Sequence, residues 1–528
     1  MQQYSLKSKA GRFILFATIL ASGMAFFDGS TTSVALPTIQ HYFHASLAQI
    51  QWVVNAFALT LAALLLLSGS LGDRFGRKRI FIYGIVLFVL ASVLSALSKS
   101  TNMLITFQAI QGLGAAMMIP GSLAIINTSF EESTRGKAIG LWAGYSGGIA
   151  AAGPFLGGWL TQTFGWPAVW WINVPLGTAA LIMTLIFVPE SRNENAKQLD
   201  WLGALLLAVG LFGIAFGLMS VPSLGFANPK ILLSLIGGVI ALILFLLEQF
   251  KNKEPLVPLQ IFKSSLVTGA NLVTLLVYFA LYGVLFFLVL NFQQVQGYSP
   301  VLAGLSMLPP IIIITFFSGP AGGLSDRIGP RTQMILGPAL VAFGMALFII
   351  PGIGANYWTH FLPGQILFGT GMCLLIAPLT KSALSVPMHY SGAASGVNNA
   401  ISRIAAMLSV AVLGGVMLIS FRINLQTKIS QSGLVPEQQN QILAQANKFG
   451  GIEIPSSFSE SSHETAQTLI KTSFVHAFRQ AMTINAILAL LAAGVAALTI
   501  KNSKMGTSNM ERDAKAWSGI LKKLPDPI

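Results

Sequence analysis

The sequence predicts an all-α membrane protein built as two six-helix bundles with two further transmembrane helices inserted between them. Three observations carry this. Of 528 residues, 54 % are hydrophobic and only 9 % charged, with a mean hydropathy of +0.71, whereas a soluble chain carries about 25 % charged residues. Apolar runs of 18 or more residues recur along the chain, each long enough to cross a bilayer as a helix. The chain also repeats itself once at a nearly constant offset.

Taken in order, fourteen spans are expected, at 13–36, 50–71, 79–98, 103–126, 138–160, 167–188, 200–222, 230–249, 266–290, 302–323, 333–350, 358–384, 393–420 and 476–499. Inside lipid the backbone must satisfy its own hydrogen bonds, which leaves helices as the sensible form. The repeat divides the spans. Gly69-Ser-Leu-Gly-Asp73-Arg74-Phe-Gly76-Arg77-Lys78 returns as Gly322-Gly-Leu-Ser-Asp326-Arg327-Ile-Gly329-Pro-Arg331. Gln108, Gly112 and Gly114 return as Gln365, Gly369 and Gly371, and Gly136 and Gly140 as Gly392 and Gly396. The expected domains are therefore an N-terminal bundle at 1–190, two inserted helices with linkers at 191–262, a C-terminal bundle at 263–500 and a basic tail at 501–528. Repeated bundles place a substrate site at the repeat interface near the bilayer midplane.

The net charge of +14 invites a nucleic-acid reading, but most of the 31 Lys and Arg residues fall on one side of the expected spans. This is the bias that orients a membrane chain, and it places both termini in the cytoplasm. The charge is a topological address, and no nucleic-acid partner is expected. A single cysteine, Cys373, excludes an intramolecular disulfide and a multi-cysteine metal cluster. His41 and His44 are spaced i,i+3 without a nearby acid, so no metal site is expected. The sequence contains no Walker A loop and no H-E-x-x-H, which argues against ATP-driven transport and against a zinc hydrolase, and no enzyme is expected.

Two segments lie outside the spans. The long outer loop 421–475 reads as a solvated cap or as a gate over the outer mouth. A short helix is expected to open at Pro436. In the tail, Met510, Ala514, Trp517 and Leu521 share one helical face, as in a helix lying on anionic lipid; disorder is the alternative.

Asp28 stands about midway along the first span, deeper than any other carboxylate. A charge at the bilayer centre costs several kcal/mol, so such a residue is a functional candidate by default. It can take up a proton in one conformation and release it in another, or bind a cationic substrate. The structural alternative is an acid hydrogen-bonded to Ser30, Thr31 or Thr32. Arg403 is the other charge well inside a span, read as a clamp facing the bundle interior or snorkelling toward the cytoplasm. Asn55, Tyr145, Tyr278, Tyr282 and Asn398 are candidate cavity residues, each equally readable as interhelical packing. One central acid among apolar walls suggests an amphipathic or lipophilic, or cationic, substrate.

These motifs, in order and on the right helices, resemble the major facilitator superfamily and its fourteen-helix drug:proton antiporter branch. The resemblance covers essentially the whole chain. It rests on Phe27 to Pro37, on Gly69 to Arg79, on Ala143 to Gly158 and on Ile172-Asn173-Val-Pro175-Leu-Gly177. It implies export of drugs or metabolites driven by the proton gradient, with no bound cofactor, from a bacterial cytoplasmic (inner) membrane. Periplasmic or outer-membrane efflux components are then conceivable partners, beside the lipid bilayer, protons and a small-molecule substrate. It implies that Gly69, Asp73, Arg74, Gly76, Arg77 and Lys78, with Asp326, Arg327 and Arg331, form a cytoplasmic gate. It also implies that Gly148, Gly153, Pro154, Gly157 and Gly158 form a fifth-helix antiporter motif that bends and reseals the pathway.

The fourth helix departs from the branch. Gln108 stands where the resemblance implies an Arg tied to proton coupling, ahead of Gln111 and Gly112. Glutamine hydrogen-bonds but cannot stabilise a neighbouring carboxylate by Coulomb attraction, so coupling through Asp28 must proceed without that partner or take another form. A transporter-fold sensor without transport, and an uptake symporter, are the alternative functions.

Overall fold

The computed structural model describes residues 3–192, 199–252, 254–387 and 390–500. These residues form seventeen α-helices: α1 (Lys9–Phe43), α2 (Leu47–Phe75), α3 (Arg77–Ala96), α4 (Thr101–Ser129), α5 (Glu132–Phe164), α6 (Ala168–Trp171), α7 (Asn173–Phe187), α8 (Trp201–Leu224), α9 (Pro229–Lys251), α10 (Ser265–Leu290), α11 (Pro300–Ser306), α12 (Leu308–Ile328), α13 (Pro330–Leu347), α14 (Leu362–Ala383), α15 (Ser391–Ser430), α16 (Pro436–Ala444) and α17 (Glu460–Thr499). The starts are fixed by side-chain caps. Ser8, Ser46, Ser100, Ser264 and Ser299 each accept a backbone N–H of the first turn, which satisfies a donor that has no intrahelical partner.

Among the described residues, twelve segments are long and apolar enough to cross a membrane. This differs from the expected fourteen. α5 and α13 are the two left out: the glycines of α5 dilute its hydropathy, and α13 is only 18 residues long and begins with Pro330, Arg331 and Gln333. The tail 501–528, and the surface helix expected there, lie outside the described residues.

The repeat is visible in the packing. In the first half α2 and α3 flank α4, while α1 packs on α5 and α7; in the second, α12 and α13 flank α14, while α10 packs on α15 and α17. The repeated glycines sit at the same crossings. A Cβ on Gly114 would lie 2.7 Å from the backbone N of Phe88 on α3, and one on Gly371 would lie 2.7 Å from the backbone N of Val341 on α13. Small residues at these points let helix backbones approach. The inserted pair α8–α9 is a hairpin whose first helix packs on both α2 and α15, so it covers a seam between the halves.

α15 and α17 are each 40 residues long, about 60 Å at 1.5 Å per residue, roughly twice the hydrocarbon thickness. Their excess length carries a cap formed by α16 and the turn at 446–451. Phe449, fully buried, packs its ring 4.8 Å from that of Phe421 and 4.4 Å from that of Phe474. The end of the molecule bearing this cap is called the cap end below. The opposite end, where α1 starts and α17 stops, is the terminal end.

Candidate functional site

Asp28 lies on the face of α1 turned into the first half and is 1 % exposed. Its carboxylate Oδ1 accepts from Gln111 Nε2 of α4 at 2.9 Å and from Asn173 Nδ2 of α7 at 3.2 Å. Asn173 Nδ2 also donates to Ser92 Oγ of α3 at 2.8 Å, and Ser92 Oγ donates to the Trp170 carbonyl at 3.0 Å. Gln108 Nε2 donates to Gln111 Oε1 at 2.8 Å, so it stands one residue behind the acid rather than against it. Four helices thus converge on one carboxyl through neutral amides and a hydroxyl. Among the described residues no cation pairs with Asp28. A charged Asp28 is stabilised here only by amide dipoles, and a buried charge so held is costly. A protonated one leaves the network electrically neutral.

The neighbours that the sequence suggested as structural partners do something else. Ser30 Oγ donates to the carbonyls of Phe27 and Ala150, and Thr31 Oγ1 to those of Phe27 and Asp28. Asn173 and Ser92 are the members of the site that sequence reasoning did not single out. Asn173 lay within a quoted motif, but nothing in sequence joins it to Asp28, 145 residues away.

The α5 glycines lie immediately beside this network. A Cβ on Gly157 would stand 2.8 Å from Thr31 Cα, and Gly153 faces Ser30 as closely. On another side of the same stretch, Gly158 touches the Pro300 carbonyl and Pro154 touches Gly304, both on α11. The motif is therefore wedged between the acid-bearing helix and the other half of the molecule. Contacts across the cap end extend this seal. Gln293 Nε2 donates to the Val34 carbonyl at 2.9 Å, Gln294 Nε2 to Gln40 Oε1 at 2.8 Å, and Gln40 Nε2 to the Lys448 carbonyl at 2.7 Å.

Toward the terminal end α5 stays packed on α1, with Trp142 Nε1 donating to Ser22 Oγ at 3.1 Å and Ser146 Oγ to the Ile19 carbonyl at 3.4 Å, while its other face is open. Cβ atoms on Gly140, Gly144, Gly147 and Gly148 would meet nothing within 4 Å, and Tyr145 is 62 % exposed. Arg403 of α15 lies across this space from its own half: its Cζ is 5.5 Å from the ring centroid of Phe26 on α1, and its Nη1 donates to Tyr282 Oη of α10 at 3.2 Å. The rings of Tyr278 and Tyr282 are 6.3 Å apart. Two other cavity candidates hold helices together. Asn55 is fully buried, donating to Met219 Sδ of α8 at 3.0 Å and to the Met407 carbonyl of α15. Asn398 donates to Asn271 Oδ1 and Thr274 Oγ1 of α10 at 3.1 and 2.9 Å.

At the terminal end, Gly69 and Gly72 lie on the last turns of α2, and Gly76 turns the chain at φ +109°. Asp73 Oδ1 pairs with Arg77 Nη2 at 2.6 Å, and Arg77 N donates to the Ser191 carbonyl at 2.8 Å. Lys78 N donates to Glu190 Oε1 at 3.1 Å, and Lys78 Nζ to the Leu185 carbonyl at 2.9 Å; the Arg74 guanidinium lies 5.7 Å from the ring centroid of Phe75. These contacts all stay within the first half. Arg331 Nη2 donates to the Ala497 carbonyl within the second half; the side chains of Asp326 and Arg327 lie outside the described residues. Gly112 packs α4 on α2, facing the Phe57 carbonyl and Thr60.

The sequence of residues 18–410 matches the family model described as the Major Facilitator Superfamily. The chain belongs to the Major Facilitator Superfamily. It is 32 % identical to the tetracenomycin C resistance and export protein of Streptomyces glaucescens, over 92 % of this chain and 91 % of that one. It is 35 % identical to the puromycin resistance protein of Streptomyces alboniger, over 76 % and 81 % of the two chains. The fold resembles a solved bacterial homolog of the human lysosomal transporter Spinster in an inward-facing, unoccupied conformation, with a TM-score of 0.67 and 16 % identity, covering 93 % of this chain and 97 % of that one. This superfamily member is an integral multi-pass membrane transporter, not an enzyme.

Proposed function

We propose that this transporter exports amphipathic small molecules in exchange for protons, by alternating access, with Asp28 as the proton carrier. The observation that carries the reading is the adjacency of two features on α1. The carboxyl of Asp28 faces the amide network of the first half, while Ser30 and Thr31, two and three residues on, form the surface against which Gly153 and Gly157 pack. Binding or losing a proton changes the charge held by that network, and α1 transmits the change to the α5 wedge and so to the seal against α11. The relatives named for drug resistance and export support the outward direction.

In this reading the twelve apolar segments are joined by α5 and α13 to make fourteen spans, since both pack within the halves alongside helices that cross. The bias of Lys and Arg puts the terminal end in the cytoplasm of a bacterial cell and the cap end outside. The present conformation is then closed outward and open inward on the α5 side. The Asp73–Arg77 loop, held within its own half here, is free to engage the second half when the inner side closes.

The test is substrate-dependent proton movement in inverted membrane vesicles, screened over amphipathic dyes, with the wild type and Asp28→Asn. Wild-type vesicles release protons on substrate addition and accumulate dye under a proton gradient; Asp28→Asn does neither. Gradient-driven accumulation by Asp28→Asn at the wild-type rate would remove Asp28 from the mechanism.

A further inference from the structure

We propose that the space between the two halves takes an amphipathic anion, an aromatic carboxylate, sulfonate or phenolate, held by Arg403 with its ring against Phe26 and Tyr282. For the direction of transport this rests on the export reading above; for binding it does not.

Two ionisable side chains of opposite sign lie deep within spans, and they occupy opposite sides of α1. Asp28 is 1 % exposed and faces α3, α4 and α7 through Gln111, Asn173 and their neighbours. Phe26 is two residues earlier, which on a helix of 3.6 residues per turn is about 200° around the axis. Arg403 lies over Phe26. The acid is thus turned away from the space between the halves, and the cation is turned toward it.

Arg403 forms no ion pair with an acid among the described residues. Its hydrogen bond goes to a neutral phenol, and its face lies over a neutral ring. A guanidinium offers five donors in a planar fork, and one phenol oxygen with one π-face leaves the positive charge uncompensated at a depth where charge is expensive. A planar anion completes the site. Its carboxylate or sulfonate takes the fork in two parallel bonds, and its ring shares the aromatic surface of Phe26 and Tyr282. The exposed Tyr145 and the open glycine face of α5 leave room on the approach. A cationic ligand entering the same space meets Arg403 as a like charge, with Asp28 buried behind α1.

The full-length protein purified in detergent tests this with two xanthene dyes of opposite charge, fluorescein and tetramethylrhodamine ethyl ester, titrated by fluorescence anisotropy. The wild type is expected to prefer fluorescein by about tenfold or more, the scale of one charge-assisted contact. Arg403→Gln weakens fluorescein by about the same factor and leaves the cationic dye unchanged or tighter, and Arg403→Lys recovers part of the loss. Should Arg403→Gln elute as aggregate, Phe26→Leu replaces it, with a selective loss of fluorescein affinity expected. Preference of the wild type for the cationic dye, or equal effects of the variant on both dyes, overturns the proposal. Anion-selective binding without gradient-driven transport in vesicles would overturn the export reading alone, and gradient-driven transport with no role for Arg403 would overturn this proposal alone.

Discussion

A methyl group added at Gly304 should open the cap end. Gly304 on α11 lies directly against Pro154 on α5, where a Cβ would stand 2.8 Å from the Pro154 carbonyl carbon and 3.2 Å from Phe155 Cα. Both obstructing groups are backbone, so no side-chain rotation relieves the clash and the two helices must separate. Overpacking of this kind costs about 1–3 kcal/mol. The contact exists only where α5 and α11 are closed on each other, so the cost falls on this conformation and not on one in which they have parted. The ratio of closed to open forms should then fall by about 5- to 150-fold. The assay is thiol labelling from the cap side. Cys373 is replaced by Ser, and a reporter cysteine is placed at Gln162, which bonds Val301 N across the same seam at 3.4 Å. Gly304→Ala should raise the labelling rate toward that of an open seam. Gly237→Ala, at a glycine whose Cβ would meet nothing within 4 Å, should not. Equal labelling in the two variants, with both proteins monodisperse, would mean that the α5–α11 contact does not hold the cap end shut.

Asn173→Ala removes donors to both Asp28 and Ser92; coupled export should fall as far as in Asp28→Asn while dye binding in detergent persists, checked by vesicle transport beside anisotropy. Asp73→Asn breaks a half-exposed i,i+4 pair with Arg77, so thermal stability in detergent should change by less than about 1 kcal/mol, whereas transport should drop if the loop engages the second half during the cycle. Phe449→Ala removes a fully buried ring from the cap and should cost about 3–5 kcal/mol locally, seen as faster proteolysis within 431–459; Phe449→Gly should cost less than cavity formation alone implies, because φ here is +62°, where glycine is at ease.

Much of this architecture was legible in the sequence because lipid makes strong demands. Apolar runs must be helices, and a lone acid in such a run must have a reason to be there, so Asp28 and Arg403 stood out without any structure. The repeated glycines were legible for a related cause: close helix crossings need them, and Gly114 and Gly371 do sit at equivalent crossings. What was not legible is convergence. Ser92, Gln111 and Asn173 are neutral, ordinary in composition and carried by three different helices, and only the packing of α3, α4 and α7 brings them to one carboxyl. Asn55 shows the same limit from the other side. A polar residue in a span reads as a cavity contact, yet the inserted helix α8 comes down on it and makes it a tie between helices. The span count differs at α5 because the glycines that pack it between α1 and α11 lower its hydropathy, and at α13 because that helix is short and opens on Pro330, Arg331 and Gln333.

The arrangement of Asp28 and Arg403 bears on how the proposed coupling can work without a cation at position 108. If Asp28 and the substrate competed for one site, the acid would have to face the space between the halves, and it does not. In the proposed reading, proton and substrate have separate positions on opposite faces of α1. Exchange between them must therefore be indirect, carried by movement of α1 against the α5 wedge rather than by displacement at a shared group. An arginine beside Asp28 would hold the carboxyl charged through Coulomb attraction. The amide network of Gln111 and Asn173 holds it only by hydrogen bonds, which the protonated form keeps in part.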